Sequence, residues 1–138
     1  MIVSGPESLA ESGPPPQELV EEIGRMAEEQ MRQGKMLSFG GLKPTSSGAR
    51  LRVRKGKITT TDGPFTEAKE VIGGFSIFNF ASKEEALKEA QTFMELHRAH
   101  WPSWEGVVEI REMYEETDDV CDEQIEGSRV LENAPVRP

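Results

Sequence analysis

Apolar residues recur at helical spacing in two stretches of the chain. In the first, Leu19, Ile23, Met26 and then Gln30 or Met31 mark one face at a 3.6-residue period, which predicts a helix over residues 16–33. Pro16 suits its first turn and Gly34 its C-terminal cap. In the second, Ser82 with Glu85 three positions on forms a capping box. Ala86, Ala90, Phe93 and His97 follow as one stripe, beside Leu87, Met94 and Leu96. Pro102 disfavours helical geometry at Trp101, so this helix is expected to stop near His100.

Shorter apolar runs between the helices read as strands. Residues 36–42 follow the first helix directly, and residues 49–54 face residues 57–61 across a Lys55-Gly56 turn, which is the pattern of a β-hairpin. Residues 75–80 form a compact apolar run, whereas residues 107–113 alternate Val108 and Ile110 with Glu109 and Arg111. Ile2-Val3 supplies a short strand fragment before the Gly13-Pro14-Pro15 loop. The order strand, helix, strand, hairpin, strand, helix, strand predicts an α+β fold. It is the ferredoxin-like β-α-β-β-α-β arrangement with an inserted β-hairpin. Such a sheet carries helices on one face only, so its other face needs a cover, most simply a second copy of the chain.

Composition narrows the function classes. Lys and Arg number 16 against 25 Asp and Glu, for a net charge of −9, which argues against direct nucleic-acid binding. No run of apolar residues is long enough to span a bilayer, and the Met1-Ile2-Val3-Ser4-Gly5 start has neither the basic nor the apolar region of a secretory signal, so no membrane association and a cytoplasmic location are expected. The charge is uneven: residues 114–138 hold eight acids and two arginines, and so carry −6 of the −9. With few aliphatics to bury, this acidic C-terminal tail is expected to be flexible or loosely docked, leaving residues 1–113 as the folded domain. The single cysteine, Cys121, cannot form an internal disulfide, and acidic neighbours disfavour its thiolate.

The most distinctive segment is Asp62-Gly63-Pro64-Phe65, continued by Thr66-Glu67-Ala68-Lys69-Glu70 and Gly73-Gly74-Phe75. Together with Gly40-Gly41-Leu42-Lys43-Pro44 upstream and the stretch from His97-Arg98-Ala99-His100 to Trp101-Pro102-Ser103-Trp104-Glu105-Gly106 downstream, it resembles the DGPF-domain branch of the YCII-related family over roughly residues 17–114. The resemblance implies a homodimeric α+β barrel. It also implies two kinds of activity. Many members of the wider family carry a His and Asp pair that points to an enzyme, while some DGPF-type members are joined to, or encoded beside, sigma factors. The family histidine would fall in the first helix, where residues 16–33 contain none, so only Asp62 carries over as the acidic member.

Read from the residues themselves, Asp62 before Gly63-Pro64 is first a turn-former whose carboxylate accepts backbone N–H bonds, and second a general base or a charge that orients a ligand. His97 and His100 are the only imidazoles, three apart on one helix face; one of them can cap the helix end, or face the cleft beneath the Asp62 loop as acid or base. The catalytic candidates are therefore Asp62, His97 and His100. Two histidines alone are too few for a metal site. The chain has no phosphate loop, dinucleotide fingerprint, nucleophile elbow or Cys-x-x-Cys pair, and no cofactor is expected. Trp101 and Trp104 suit a core edge, a dimer seal or a pocket lining. Arg50, Arg52 and Arg54, with Lys55 and Lys57 across the turn, gather on one side of the hairpin, as a solvated edge guarded by charge, as an anion-binding rim, or as a docking surface for an acidic partner, the chain's own tail included. Two functional readings result: an acid–base enzyme or binding protein for a small-molecule ligand, and a noncatalytic module with a transcription-related protein partner.

Overall fold

The computed structural model describes residues 1–8, 13–65 and 68–115. The expectation about an acidic tail lies, apart from its first two residues, outside them. The elements in chain order are β1 (Ile2–Gly5), α1 (Gln17–Arg32), β2 (Met36–Gly41), a 3-10 turn (Thr45–Ser47), β3 (Ala49–Arg54), β4 (Lys57–Asp62), β5 (Val71–Phe78), α2 (Lys83–His100) and β6 (Val107–Glu109).

Both helices are bounded by the expected local chemistry. Pro16 sits at the N-terminal boundary of α1, and at its other end Gly34 takes φ +71°. The Gly34 N–H donates to the Met31 carbonyl and the Lys35 N–H to the Gln30 carbonyl, each at 2.9 Å, which is the Schellman closure that a left-handed glycine permits. In α2, the Glu85 N–H donates to the Ser82 hydroxyl at 3.2 Å, and the Glu85 carboxylate accepts from the Ala81 N–H at 3.0 Å. The helix ends at His100, with the Trp101 N–H donating to the His97 carbonyl at 2.8 Å. Gln30 donates to Glu89 at 2.8 Å and the Lys35 ammonium meets Glu85 at 2.5 Å, fastening the C-terminal end of α1 to the N-terminal half of α2. Burial raises the pKa of Glu89, against the smaller effect of the Gln30 hydrogen bond.

Four strands pair antiparallel in the order β2-β5-β1-β6, consistent with a ferredoxin-like unit, and β3 and β4 form a separate two-stranded sheet. Leu19 and Ala27 of α1, Ala90 and His97 of α2, and Met36, Gly74 and Ser76 of the sheet are buried together as the core. Two strands differ from expectation. β5 begins at Val71 rather than Phe75, because Gly74 is a ladder position that passes close to β2, where a Cβ would lie 3.1 Å from the Gly40 carbonyl oxygen. β6 ends at Glu109 rather than Met113: Glu109 pairs with Ile2, the first residue of β1, so later positions have run past their partner strand.

Candidate functional site

The strand register brings the distinctive sequence segments to one end of the four-stranded sheet. Gly5 at the end of β1 pairs with Val71 at the start of β5, Val107 at the start of β6 pairs with Ser4, and Gly41 at the end of β2 pairs with Gly74. The segments beyond those ends are Pro6-Glu7, Leu42-Lys43-Pro44, the loop after Asp62, and the Trp101 to Gly106 turn.

The Asp62 loop is held by groups from distant parts of the chain. The Gly63 N–H donates to the Gly48 carbonyl at 2.9 Å, and the following Gly63-Pro64 bond is cis. A side chain at Gly63 has no room, since its Cβ would stand 1.7 Å from the Thr45 carbonyl oxygen. The Phe65 N–H donates to the Thr45 hydroxyl at 3.1 Å; that hydroxyl and the Thr45 N–H each donate to Glu7 Oε1 at 2.8 Å. Glu7 Oε2 is buried and without a hydrogen-bond partner among the described residues. The Arg50 guanidinium lies over the Phe65 ring, 4.1 Å from its centroid. Glu7 and Thr45 are thus the anchors that sequence reasoning missed. Glu7 lies 38 positions from Thr45, and no local pattern announces the link.

This arrangement corrects the expectation that the Asp62 carboxylate caps its own turn. Gly48 and Thr45 already take the amides of Gly63 and Phe65, so the carboxylate is exposed and has no hydrogen-bond or ion-pair partner among the described residues. A loop locked from behind, with a free carboxylate at its head, can present a negative charge to a ligand with little reorganisation.

The two histidines face different surroundings. The buried His97 ring lies between Phe93 and Trp104, with centroid separations of 4.4 and 4.5 Å. Its Nδ1–H donates to the Phe93 carbonyl at 2.9 Å, leaving Nε2 as the basic nitrogen. Burial holds the imidazole pKa below its ordinary value, only partly offset by that hydrogen bond, so His97 is neutral at pH 7. Its partner Trp104 closes the core edge: the ring lies against Gly106, where a Cβ would meet Trp104 Cζ2 at 2.1 Å, and beside Gly5. His100 Nδ1 stands 3.5 Å from the Glu18 carboxylate of α1. No hydrogen bond or ion pair joins either imidazole to Asp62 among the described residues. Nor do three His, Cys, Asp or Glu side chains gather there as a metal site would need.

Two helices on one face of a four-stranded antiparallel sheet, with a two-stranded hairpin leading into the Asp62 loop at one end, define a small α+β protein of ferredoxin-like order. The family model for the YCII-related domain matches residues 1–117, and the chain belongs to that family. An uncharacterized protein of Rhizobium meliloti (strain 1021) is 33% identical over 73 residues; the aligned segment is 53% of this chain and 59% of that protein. No helix among the described residues is long and apolar enough to cross a membrane.

Proposed function

We propose that this YCII-related chain is a cytoplasmic homodimer that binds a small molecule at the Asp62 end of the sheet, with Asp62 as the carboxylate that receives a cationic or hydrogen-bond-donating group of the ligand. The observation that carries this reading is the loop whose amides are satisfied by Gly48 and Thr45, leaving Asp62 exposed and unpartnered among the described residues. Catalysis by Asp62 with His97 or His100 is the enzymatic form of the same reading. It requires an imidazole within hydrogen-bond reach of Asp62. His97 is instead packed as a neutral core ring and His100 is turned toward Glu18, so binding is the better-supported function.

The dimer rests on the sheet face opposite the buried Gly74 and Ser76. Register puts Phe75 on that face beside Ile2, and Ile72 and Val107 on it beside Ser4. Ile72, Phe75 and Val107 are 40–51% exposed, an apolar surface that a second copy would cover to form a dimeric α+β barrel. A noncatalytic module with a transcription-related partner is the competing reading, favoured by the exposed cationic face of the β3–β4 hairpin.

Native mass spectrometry of the purified protein tests both halves. A dimer with retained ligand mass, and an Asp62→Asn dimer without it, are the expected results. A monomer would remove the dimer, and a bare wild-type dimer, or ligand retained by Asp62→Asn, would remove the binding assignment.

A further inference from the structure

The β3–β4 hairpin pairs with no third strand among the described residues, and every residue in its two strands except Arg50 is exposed. Its register sorts the side chains into two unlike faces. Arg50 opposite Thr61, Arg52 opposite Thr59 and Arg54 opposite Lys57 make one face cationic. Leu51 opposite Thr60 and Val53 opposite Ile58 make the other aliphatic, with Leu51, Val53 and Ile58 at 68–72% exposure. Two-stranded hairpins are marginal on their own, and an exposed aliphatic face adds to the need for a cover.

Charge indicates what that cover is. Each arginine outside the hairpin in the described residues has a carboxylate, Arg25 with Glu22, Arg32 with Glu29, Arg98 with Glu95 and Arg111 with Glu109, whereas of the lysines there only Lys35 is paired and Lys43, Lys69, Lys83 and Lys88 stand singly. Among the described residues Arg50, Arg52, Arg54, Lys55 and Lys57 have no ion-pair partner, Arg50 covering the Phe65 ring instead. The matching excess of acid lies in residues 116–138, which hold Glu116, Asp118, Asp119, Asp122, Glu123, Glu126 and Glu132 against Arg129 and Arg137.

We infer that the C-terminal segment, residues 116–138, docks on the β3–β4 hairpin of its own chain as an added strand along an open edge. Only an edge-added strand supplies both faces at once, because its successive side chains point to opposite sides of the sheet. Within residues 121–126, Asp122, Gln124 and Glu126 alternate with Cys121, Glu123 and Ile125, so one register offers two acids to the cationic face and Ile125, flanked by Glu123, to the aliphatic one. Reach does not limit the contact: a segment of this length extends up to about 75 Å, against a domain about 35 Å across.

Hydrogen–deuterium exchange on the full chain tests the assignment at about 20 mM and about 500 mM salt. At low salt, amides within residues 116–138 and on one outer edge of the hairpin are expected to exchange at least roughly ten-fold slower than in an unstructured chain. High salt and the triple variant Arg52→Glu, Arg54→Glu, Lys57→Glu are both expected to abolish that protection. A second variant with Asp118→Asn, Asp122→Asn and Glu126→Gln, the acids of the cationic-facing register, leaves the hairpin untouched and is expected to deprotect its edge equally. The inference is overturned by exchange at the unstructured rate in residues 116–138 at low salt, or by protection that survives both variants. It is overturned as well by protection lost on dilution, which would make a second copy the holder of the segment.

Discussion

Replacing Gly63 by alanine tests whether the Asp62 loop is braced as described. The new Cβ would stand 1.7 Å from the Thr45 carbonyl oxygen, 2.6 Å from the Thr45 carbonyl carbon and 3.2 Å from the Gly48 carbonyl oxygen. Ordinary van der Waals separation requires the loop to retreat by roughly 1.5 Å or more, and the contacted atoms are backbone that cannot rotate aside. Such a retreat breaks the Gly63 to Gly48 hydrogen bond and draws the Phe65 N–H away from the Thr45 hydroxyl. Two neutral hydrogen bonds at about 1 kcal/mol each, with the Arg50 to Phe65 stacking at about 0.5–1 kcal/mol, give an expected loss of about 3 kcal/mol. Urea unfolding followed by the fluorescence of Trp101 and Trp104 measures it. Gly73→Ala is the control, because nothing lies within 4 Å of a Cβ built there, and a change within about 0.5 kcal/mol is expected. A Gly63→Ala variant as stable as the Gly73→Ala control would refute the bracing argument.

Two further substitutions probe the frame behind the loop. The folded-state pKa of His97 lies below the ordinary 6.5, so the unfolded chain takes up the proton first. The His97 contribution is therefore complete above about pH 6.5 and is lost as pH falls toward the folded-state value. Urea midpoints measured from about pH 7.5 to 5.5 should fall for the wild type and fall less for His97→Phe, with equal slopes counting against the burial argument. Glu85→Ala removes the cap on the Ala81 N–H together with the Lys35 ion pair that ties α2 to the end of α1. A lower thermal-unfolding midpoint than the wild type is expected, whereas an unchanged midpoint would mean that solvent already satisfies both groups.

The parts of this fold legible in the sequence are those whose chemistry is local. Gly34 ends α1, Ser82 with Glu85 opens α2, and Lys55-Gly56 turns the hairpin with φ of +50° and +75°, each set by residues within a few positions. Hidden features depend on partners far along the chain. The apolar run over residues 75–80 leaves out Gly74, yet Gly74 is a strand position whose missing side chain admits the β2 backbone. The length of β6 was illegible for a related reason, since alternation over residues 107–113 describes a strand's own faces and says nothing about where its neighbour stops.

The site divides along the same line, and the division bears on its function. The motif at Asp62 to Phe65 identifies the loop, but a turn sequence cannot say which acceptor takes its amides. The local preference of Asp62 for its own turn is overridden by Thr45 and Gly48, Thr45 being held by Glu7 from beyond β1 and Gly48 by its own N–H to the Thr45 carbonyl. That substitution of acceptors releases the carboxylate from structural duty. If Asp62 were retained for the turn alone, Asn would serve there as well, since its side-chain carbonyl accepts the same backbone bonds. Asp62→Asn should accordingly leave stability within about 0.5 kcal/mol of the wild type while removing ligand binding. Ligand binding by Asp62→Asn equal to that of the wild type would take the ligand assignment away, since a side chain that keeps the turn's acceptor and loses only the charge would then serve as well.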